Sequence, residues 1–242
     1  MAPITDFELI TGISTLIFLI ISILVALVIA SKYFTLKSKS FLFIGLASIG
    51  QYFHYLPVVV NVIYSLGTGG ILLPVEFNLL LGFTPLAIFT TLWYLGITEL
   101  AFQKRRKIIL IMVVAWYSFY LIMLYNFIFT GNASSLAEVD NAVKMTFYPP
   151  FILLNLVNLI LWILPFFIFA MYTLKSDIPE IKLKGIFLLI ALILYPIGTL
   201  IDLLQQDIVI LVILARIIAI ISALSFYLGL ILPERVKKIF IK

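Results

Sequence analysis

Hydrophobic positions in this chain form long runs, and charged positions are concentrated in the short segments between them. The seven runs are 9–31, 41–65, 71–98, 108–130, 148–174, 185–204 and 208–232. Each has about 20 residues or more, the length that an α-helix needs to cross a hydrocarbon core of about 30 Å. Because the connecting segments are short, consecutive helices should be antiparallel neighbours. The pattern predicts an all-α membrane protein, with residues 1–242 forming a single domain, a seven-transmembrane helix bundle.

The composition agrees with a protein embedded in a bilayer. Hydrophobic residues make up 64% of the chain and charged residues 11%, against about 45–50% and 25% in soluble domains. The N-terminal segment has no basic region before its first run, so we expect a span there and not a cleaved signal peptide. The chain has no cysteine, which excludes disulfides and thiolate chemistry.

The net charge of +5 comes from basic residues that cluster on one set of loops. Fourteen of the sixteen lysines and arginines fall in the first, third and fifth connections and in the C-terminal tail. Lys144 lies in the opposite set of loops, and Arg216 lies inside a span. Because basic residues accumulate in cytoplasmic loops, we expect the N-terminus outside, the C-terminus in the cytoplasm, and a multi-pass location in the cell (plasma) membrane. Charges spread over separate loops do not indicate a nucleic-acid-binding face.

The third connection carries a dense basic patch, made of Lys104, Arg105, Arg106 and Lys107. Clusters of this kind next to a span attract anionic lipid headgroups. We expect the patch, together with the basic tail, to contact either the lipid bilayer or a cytoplasmic signalling partner.

The longest segment on the predicted outer side runs from Gly131 to Phe147. Its Asn132-Ala133-Ser134 tripeptide fits the N-glycosylation sequon. Asn132 is therefore either an acceptor site or part of a chance match in a polar loop. With Glu138, Asp140 and Lys144, the same segment is predicted to form a short amphipathic helix on the membrane surface.

Polar side chains within the spans are the main functional candidates, because ionisable groups are costly in hydrocarbon and usually mark a site. The candidates are Gln51 and His54 in the second span, Glu76 and Asn78 in the third, Asp202 in the sixth and Arg216 in the seventh. Gln51, His54 and Asn61 are predicted to share one helix face, since they recur at helical spacing. Glu76, Asp202 and Arg216 are all expected in the outer half of the membrane.

Two interpretations of these side chains remain open. In one, Arg216 forms a buried ion pair with Glu76 or Asp202, while His54 and the amides hold helices together. In the other, the same groups line a water-accessible pocket that opens outward and binds a small or lipidic ligand. Prolines in spans 2, 3, 5 and 6 are predicted to break or kink those helices, which would suit a pocket. They are Pro57, Pro74, Pro85, Pro149, Pro150, Pro165 and Pro196.

The sequence carries no enzyme signature. One histidine and no cysteine argue against a metal centre, and zincin, P-loop and nucleophile-elbow motifs are absent. Seven spans do not divide into two equal inverted halves, which lowers the expectation for a secondary transporter. We expect a protein that is not an enzyme.

Two segments resemble microbial rhodopsins, which also have seven helices and an outer N-terminus. Phe83-Thr84-Pro85-Leu86 is similar to the Thr-Pro-Leu of their third helix, and Leu194-Tyr195-Pro196-Ile197 to the Tyr-Pro of their sixth. When Gly229-Leu230-Ile231-Leu232 is matched to the end of their seventh helix, Ser225 falls where the retinal-binding lysine belongs and Ile221 where the counter-ion belongs. No predicted span contains a lysine, so a retinal Schiff base cannot form and no cofactor is expected.

The chain also resembles uncharacterised archaeal seven-transmembrane proteins and the membrane sensor regions that precede histidine kinases. Leu232-Pro233-Glu234-Arg235 and the basic stretch after it are similar to the end of such sensor regions. These resemblances imply a receptor-like or sensor-like protein with a separate cytoplasmic partner. The alternatives are a secondary transporter or proton-coupled carrier, with His54, Glu76 and Arg216 as a relay, and a structural subunit of a membrane complex.

Overall fold

The structure is a computed structural model that describes residues 4–204 and 208–241. Its α-helices are α1 (Asp6–Leu36), α2 (Lys39–Gln51), α3 (Leu56–Thr68), α4 (Val75–Ala101), α5 (Arg106–Phe129), α6 (Pro149–Leu174), α7 (Pro179–Leu204), α8 (Val209–Ile231) and α9 (Glu234–Phe240). Single turns of 3₁₀-helix lie at Phe53–Tyr55, Gln103–Arg105 and Ala133–Ser135. The strands β1 (Ala137–Val139) and β2 (Met145–Phe147) form an antiparallel hairpin. Residues 1–3, the Gln205-Gln206-Asp207 segment between the sixth and seventh predicted runs, and Lys242 lie outside the described residues.

Seven helices in the described ranges are long and apolar enough to cross a membrane, when α2 and α3 are counted as one interrupted span. The prediction of an all-α protein with seven long apolar helices is therefore confirmed. The helices extend past the predicted bounds, so α1 includes Lys32 and α7 includes Lys182 and Lys184. These lysines lie in the end turns, where long side chains reach the membrane surface.

The ends of the bundle are distinguished by two polar contacts. At one end, which we call the hairpin end, Glu8 accepts the backbone N–H of Thr5 at 2.8 Å and that of Ala142 at 3.0 Å, which fixes the hairpin to the start of α1. At the other, the C-terminal end, Lys237 Nζ lies 2.6 Å from Glu180 Oε2 and joins α9 to α7. This hydrogen bond raises the pKa of Lys237 above its ordinary value.

Packing between the spans closes the bundle. The α8 helix packs mainly against α7 and α1, and α4 packs mainly against α2 and α5. In the centre, Trp93 of α4 stacks on Trp162 of α6 with ring centroids 5.1 Å apart, and Phe166 meets Phe226 of α8 edge to face at 5.3 Å. Van der Waals contact of this kind holds spans together, because lipid and protein interior are equally apolar.

The second span is interrupted in its middle, between α2 and α3. Pro57 has no N–H to donate to the carbonyl of Phe53 four residues earlier, so one hydrogen bond of the α-helical ladder is missing there. The chain instead makes a 3₁₀ turn in which the Leu56 N–H bonds to the Phe53 carbonyl. Irregular backbone at membrane depth is tolerated when protein surrounds it, and Tyr55 in this turn is buried.

Three of the prolines predicted to break helices begin them instead. Pro74 is the N-cap of α4, and Pro149 and Pro150 lie in the first turn of α6. Proline suits this position because the first N–H groups of a helix have no intrahelical partner. The prolines inside continuous helices are Pro85, Pro165 and Pro196.

The predicted amphipathic surface helix over Glu138, Asp140 and Lys144 is wrong, because this segment forms the β-hairpin. Its polar side chains pair along the hairpin and not along a helix face. The Thr146 hydroxyl donates to Asp140 Oδ2 at 2.7 Å, and the Asp140 N–H donates to the Lys144 carbonyl at 3.1 Å.

Candidate functional site

Arg216 lies in α8 and is only 4% exposed. It is about two turns into the helix, roughly 10 Å from the α8 start. Because Cα–Cβ bonds tilt toward a helix N-terminus, its side chain extends toward the hairpin end. The antiparallel neighbour α7 reaches that end with Asp202 in its last turn. The fold therefore brings these two charges together.

The Arg216 guanidinium is held by three side chains from three other helical segments. Its Nη1 lies 2.5 Å from Asp202 Oδ2, and its Nε donates to Thr15 Oγ1 of α1 at 3.0 Å. The guanidinium carbon lies 4.7 Å from the centroid of the Tyr55 ring, a cation–π distance. The Tyr55 hydroxyl donates to the same Asp202 oxygen at 2.8 Å. We call these four residues the Arg216 cluster.

The structure selects one of the two partners that the sequence left open for Arg216. The ion pair is with Asp202, and Glu76 does not join it within the described residues. Glu76 lies half-buried in the first turn of α4, and α8 packs mainly against α7 and α1. A carboxylate in a first helical turn is stabilised there by the helix dipole.

Gln51, His54 and Asn61 belong to three different segments of the second span. The prediction assumed a continuous helix, whereas Gln51 ends α2, His54 lies in the 3₁₀ turn and Asn61 belongs to α3. The His54 ring packs on the Tyr55 ring with centroids 4.1 Å apart. His54 is therefore next to the Arg216 cluster, and Asn61 belongs to a different site.

Asn61 and Asn78 form a second buried polar group, which we call the amide clamp. Asn61 Nδ2 donates to Asn78 Oδ1 at 2.5 Å, and Asn61 Oδ1 accepts the Leu73 N–H at 3.1 Å. Asn78 Nδ2 donates to the carbonyls of Leu73 at 3.1 Å and Pro74 at 3.0 Å. An unpaired buried amide costs about 1–3 kcal/mol, so these bonds hold the α3–α4 connection in one conformation.

Tyr55 and Thr15 were not among the sequence candidates, although both contact Arg216. Neutral side chains do not stand out among aromatic and small residues in a span. A signal for Thr15 does exist, because Thr11, Thr15 and Ser22 recur at helical spacing in an otherwise apolar helix. All three are buried on the side of α1 that faces the bundle. Tyr55 carries no comparable signal.

The loop candidates lie at opposite ends of the bundle. Most of the Lys104, Arg105, Arg106 and Lys107 patch is exposed at the C-terminal end, and Arg106 Nη2 lies 3.9 Å from Glu99 Oε2. Asn132 is exposed at the hairpin end, where its Nδ2 donates to Thr130 Oγ1 at 3.1 Å. Its side chain is therefore open to solvent on the side where the sequence predicts modification.

No protein-family model, curated protein or solved structure matches the chain. Within residues 4–204 and 208–241, no group of three or more histidine, aspartate or glutamate side chains could hold a metal ion. The chemistry that the site offers is thus that of a buried arginine–carboxylate pair with a tyrosine and a threonine. Such a group can hold helices in one arrangement and release them in another.

Proposed function

We propose that the protein is a seven-helix membrane receptor or sensor whose internal switch is the Arg216 cluster. It binds a small or lipidic ligand at the hairpin end, which faces outside, and signals to a cytoplasmic partner at the C-terminal end. One observation carries the proposal: a buried charge pair joins four spans at the point where the second span is interrupted.

A buried ion pair suits a switch because its two states differ sharply in free energy. Separating the partners leaves an uncompensated buried charge, which costs about 3–5 kcal/mol. Tyr55 contacts both charges from the interrupted turn, and short 3₁₀ segments within helices often mark hinges. A movement of α3 would therefore alter the contacts of Arg216 and Asp202 together. A ligand drives such a movement when it binds one arrangement more tightly than the other.

The α7 helix connects the switch with the opposite end of the bundle. Asp202 lies in its last turn, and Glu180 near its start binds Lys184 at 3.4 Å and Lys237 of α9 at 2.6 Å. A shift of α7 at Asp202 would move α9 and the positive surface around it. Together with Lys104–Lys107, that surface suits an acidic protein partner or anionic lipid headgroups.

Distances between spin labels test the proposal directly, because the chain contains no cysteine. Lys107→Cys and Lys182→Cys place labels at exposed positions on α5 and α7 at the C-terminal end. We expect Asp202→Asn to shift the distance between the labels by about 2 Å or more, the size of known helix shifts in switching proteins. Asp140→Asn removes a charge at the hairpin end and should leave the distance unchanged.

A double variant separates a switch from a static scaffold. Arg216→Met with Asp202→Leu replaces both charges, a change that is often neutral or stabilising for a buried pair. We expect a folded protein in which the distance between the labels has one narrow distribution. An unchanged distance in folded Asp202→Asn protein would show that the pair is scaffold and would overturn the proposal.

A further inference from the structure

A cleft of about 510 Å³ opens at the hairpin end, between the α3–α4 connection and the β-hairpin. Leu72–Val75 form one wall, and Ser134, Ala137–Val139 and Tyr148 form the other. Small-molecule sites typically enclose about 300–1,000 Å³ and combine apolar walls with a few polar groups. We infer that this hairpin-end cleft binds a small organic cation, an ammonium group carried on an apolar body.

The apolar wall is rigid because the amide clamp holds its backbone. The Leu73 N–H bonds to Asn61, and the carbonyls of Leu73 and Pro74 bond to Asn78. Leu72, Leu73, Pro74 and Val75 therefore present an apolar surface that is already ordered before a ligand arrives. Such preorganisation lowers the entropy cost of binding.

The opposite wall carries the group that recognises the cation. Glu138 lies in β1, and its Oε2 accepts the Tyr148 hydroxyl at 2.8 Å. This bond raises the pKa of Tyr148 above its ordinary value, so the hydroxyl stays protonated and fixes the carboxylate at the rim. A carboxylate next to an aromatic side chain is a chemistry that binds ammonium groups.

The electrostatic field at the hairpin end favours a positive ligand. Most of its charged side chains in the described residues are acidic: Asp6, Glu8, Glu76, Glu138 and Asp140 against Lys144. Glu8 is occupied by Thr5 and Ala142, and Glu76 offsets the positive end of the α4 dipole. The remaining carboxylates attract cations toward the cleft and repel anions.

The cleft connects to the Arg216 cluster through α3. Asn61 of the clamp follows Tyr55 by about one and a half helical turns. A ligand that presses on Leu72–Val75 would act on α3 through Asn61 and then on the contacts of Tyr55. This consequence rests on the proposed receptor function, whereas binding of the cation does not.

Ligand-observed NMR on the full chain in phosphatidylcholine nanodiscs tests the inference, with empty nanodiscs subtracted. The probe is hexyltrimethylammonium, compared with neutral 1-hexanol and with hexanesulfonate. We expect binding of the cation alone. Glu138→Gln should weaken binding by about two- to fivefold, the range for an exposed ion pair. Leu72→Trp, which fills the cleft, should abolish it.

Asp140→Asn is the matched control, because it removes one charge from the same hairpin. Asp140 accepts the Thr146 hydroxyl and is not part of the cleft wall, so its loss should weaken binding much less than Glu138→Gln does. The inference is overturned if hexanol binds equally well, if the two carboxylate variants weaken binding equally, or if the cation does not bind. If the cation binds but Asp202→Asn does not change the distance between the spin labels, the receptor proposal is refuted, while the inference that the cleft binds a cation still holds.

Discussion

Tyr55 is the side chain on which the Arg216 cluster depends most. Its hydroxyl donates to Asp202 and its ring lies against the Arg216 guanidinium. The ring also packs edge to face on Phe18 of α1, with centroids 5.3 Å apart. A buried ion pair is stable only when further groups satisfy its remaining donors and acceptors. Tyr55 supplies one such contact to Asp202 and Thr15 supplies one to Arg216.

Tyr55→Phe removes one donor to Asp202 and keeps the aromatic ring. We expect the free energy of unfolding to fall by about 1–3 kcal/mol, the range for a hydrogen bond to a charged group in a buried site. The effect should be non-additive with Asp202→Asn, because that change removes the negative charge to which the Tyr55 hydroxyl donates. Denaturation of the four proteins of this double-mutant cycle in detergent micelles measures the coupling.

Tyr52→Phe is the control for that cycle. Tyr52 also packs edge to face on Phe18, with centroids 5.2 Å apart, but the hydrogen bond to Asp202 comes from Tyr55. Its cycle with Asp202→Asn should be additive. Additive behaviour of Tyr55→Phe as well would mean that its hydroxyl does not support the ion pair.

The sequence was enough to single out Arg216 but not to choose its partner. A charge in an apolar run is conspicuous, because it is costly unless paired. Glu76 and Asp202 were both candidates from their predicted depth, and the position of Asp202 near the interface counted against it. The choice depends on how the helices pack, and only tertiary packing places the end of α7 that carries Asp202 beside Arg216.

The interrupted second span shows, for a whole element, what the sequence alone can and cannot predict. Its length and hydropathy were sufficient to predict a span, because these properties do not require a continuous helix. The shared face predicted for Gln51, His54 and Asn61 assumed a continuous helix, whereas a 3₁₀ turn before Pro57 separates α2 from α3. The hairpin was missed for a related reason: over a short polar segment, charges can fit a helix face or a strand, and pairing decides between them.

Pro57→Ala supplies the N–H that an α-helix would donate to the Phe53 carbonyl, which accepts the Leu56 N–H in the 3₁₀ turn. We expect the second span to become a more regular α-helix, in which Tyr55 is turned away from Asp202. The coupling energy between Tyr55 and Asp202 should then fall close to zero when the double-mutant cycle is repeated in this background. Hydrogen exchange of the Phe53–Pro57 segment would report the added helix independently.

Pro85→Ala provides the comparison, because Pro85 lies inside a continuous α4. That change should leave the coupling between Tyr55 and Asp202 as it is in the original chain. Full coupling in the Pro57→Ala background would show that the 3₁₀ turn does not position Tyr55. The hinge assigned to the second span would then have no basis.

The whole molecule is strongly asymmetric between its ends. The hairpin end carries carboxylates and the cleft, whereas the C-terminal end carries most of the lysines and arginines together with α9. The Arg216 cluster lies between them, nearer the hairpin end. A receptor that binds a cation on one side and an acidic partner on the other needs this separation of charge. The receptor proposal therefore depends on which end faces the cytoplasm.

Cysteine labelling measures that orientation in a chain without native cysteine. Ser135→Cys lies exposed at the hairpin end, and Lys182→Cys lies exposed at the C-terminal end. We expect a membrane-impermeant maleimide to label Ser135→Cys in intact cells and Lys182→Cys only after permeabilisation, because basic loops stay in the cytoplasm. Changing Lys104, Arg105, Arg106 and Lys107 to glutamine should increase the fraction of inverted protein by the same rule. The reverse labelling pattern would place the hairpin-end cleft in the cytoplasm, and neither an extracellular ligand nor glycosylation at Asn132 would be compatible with it.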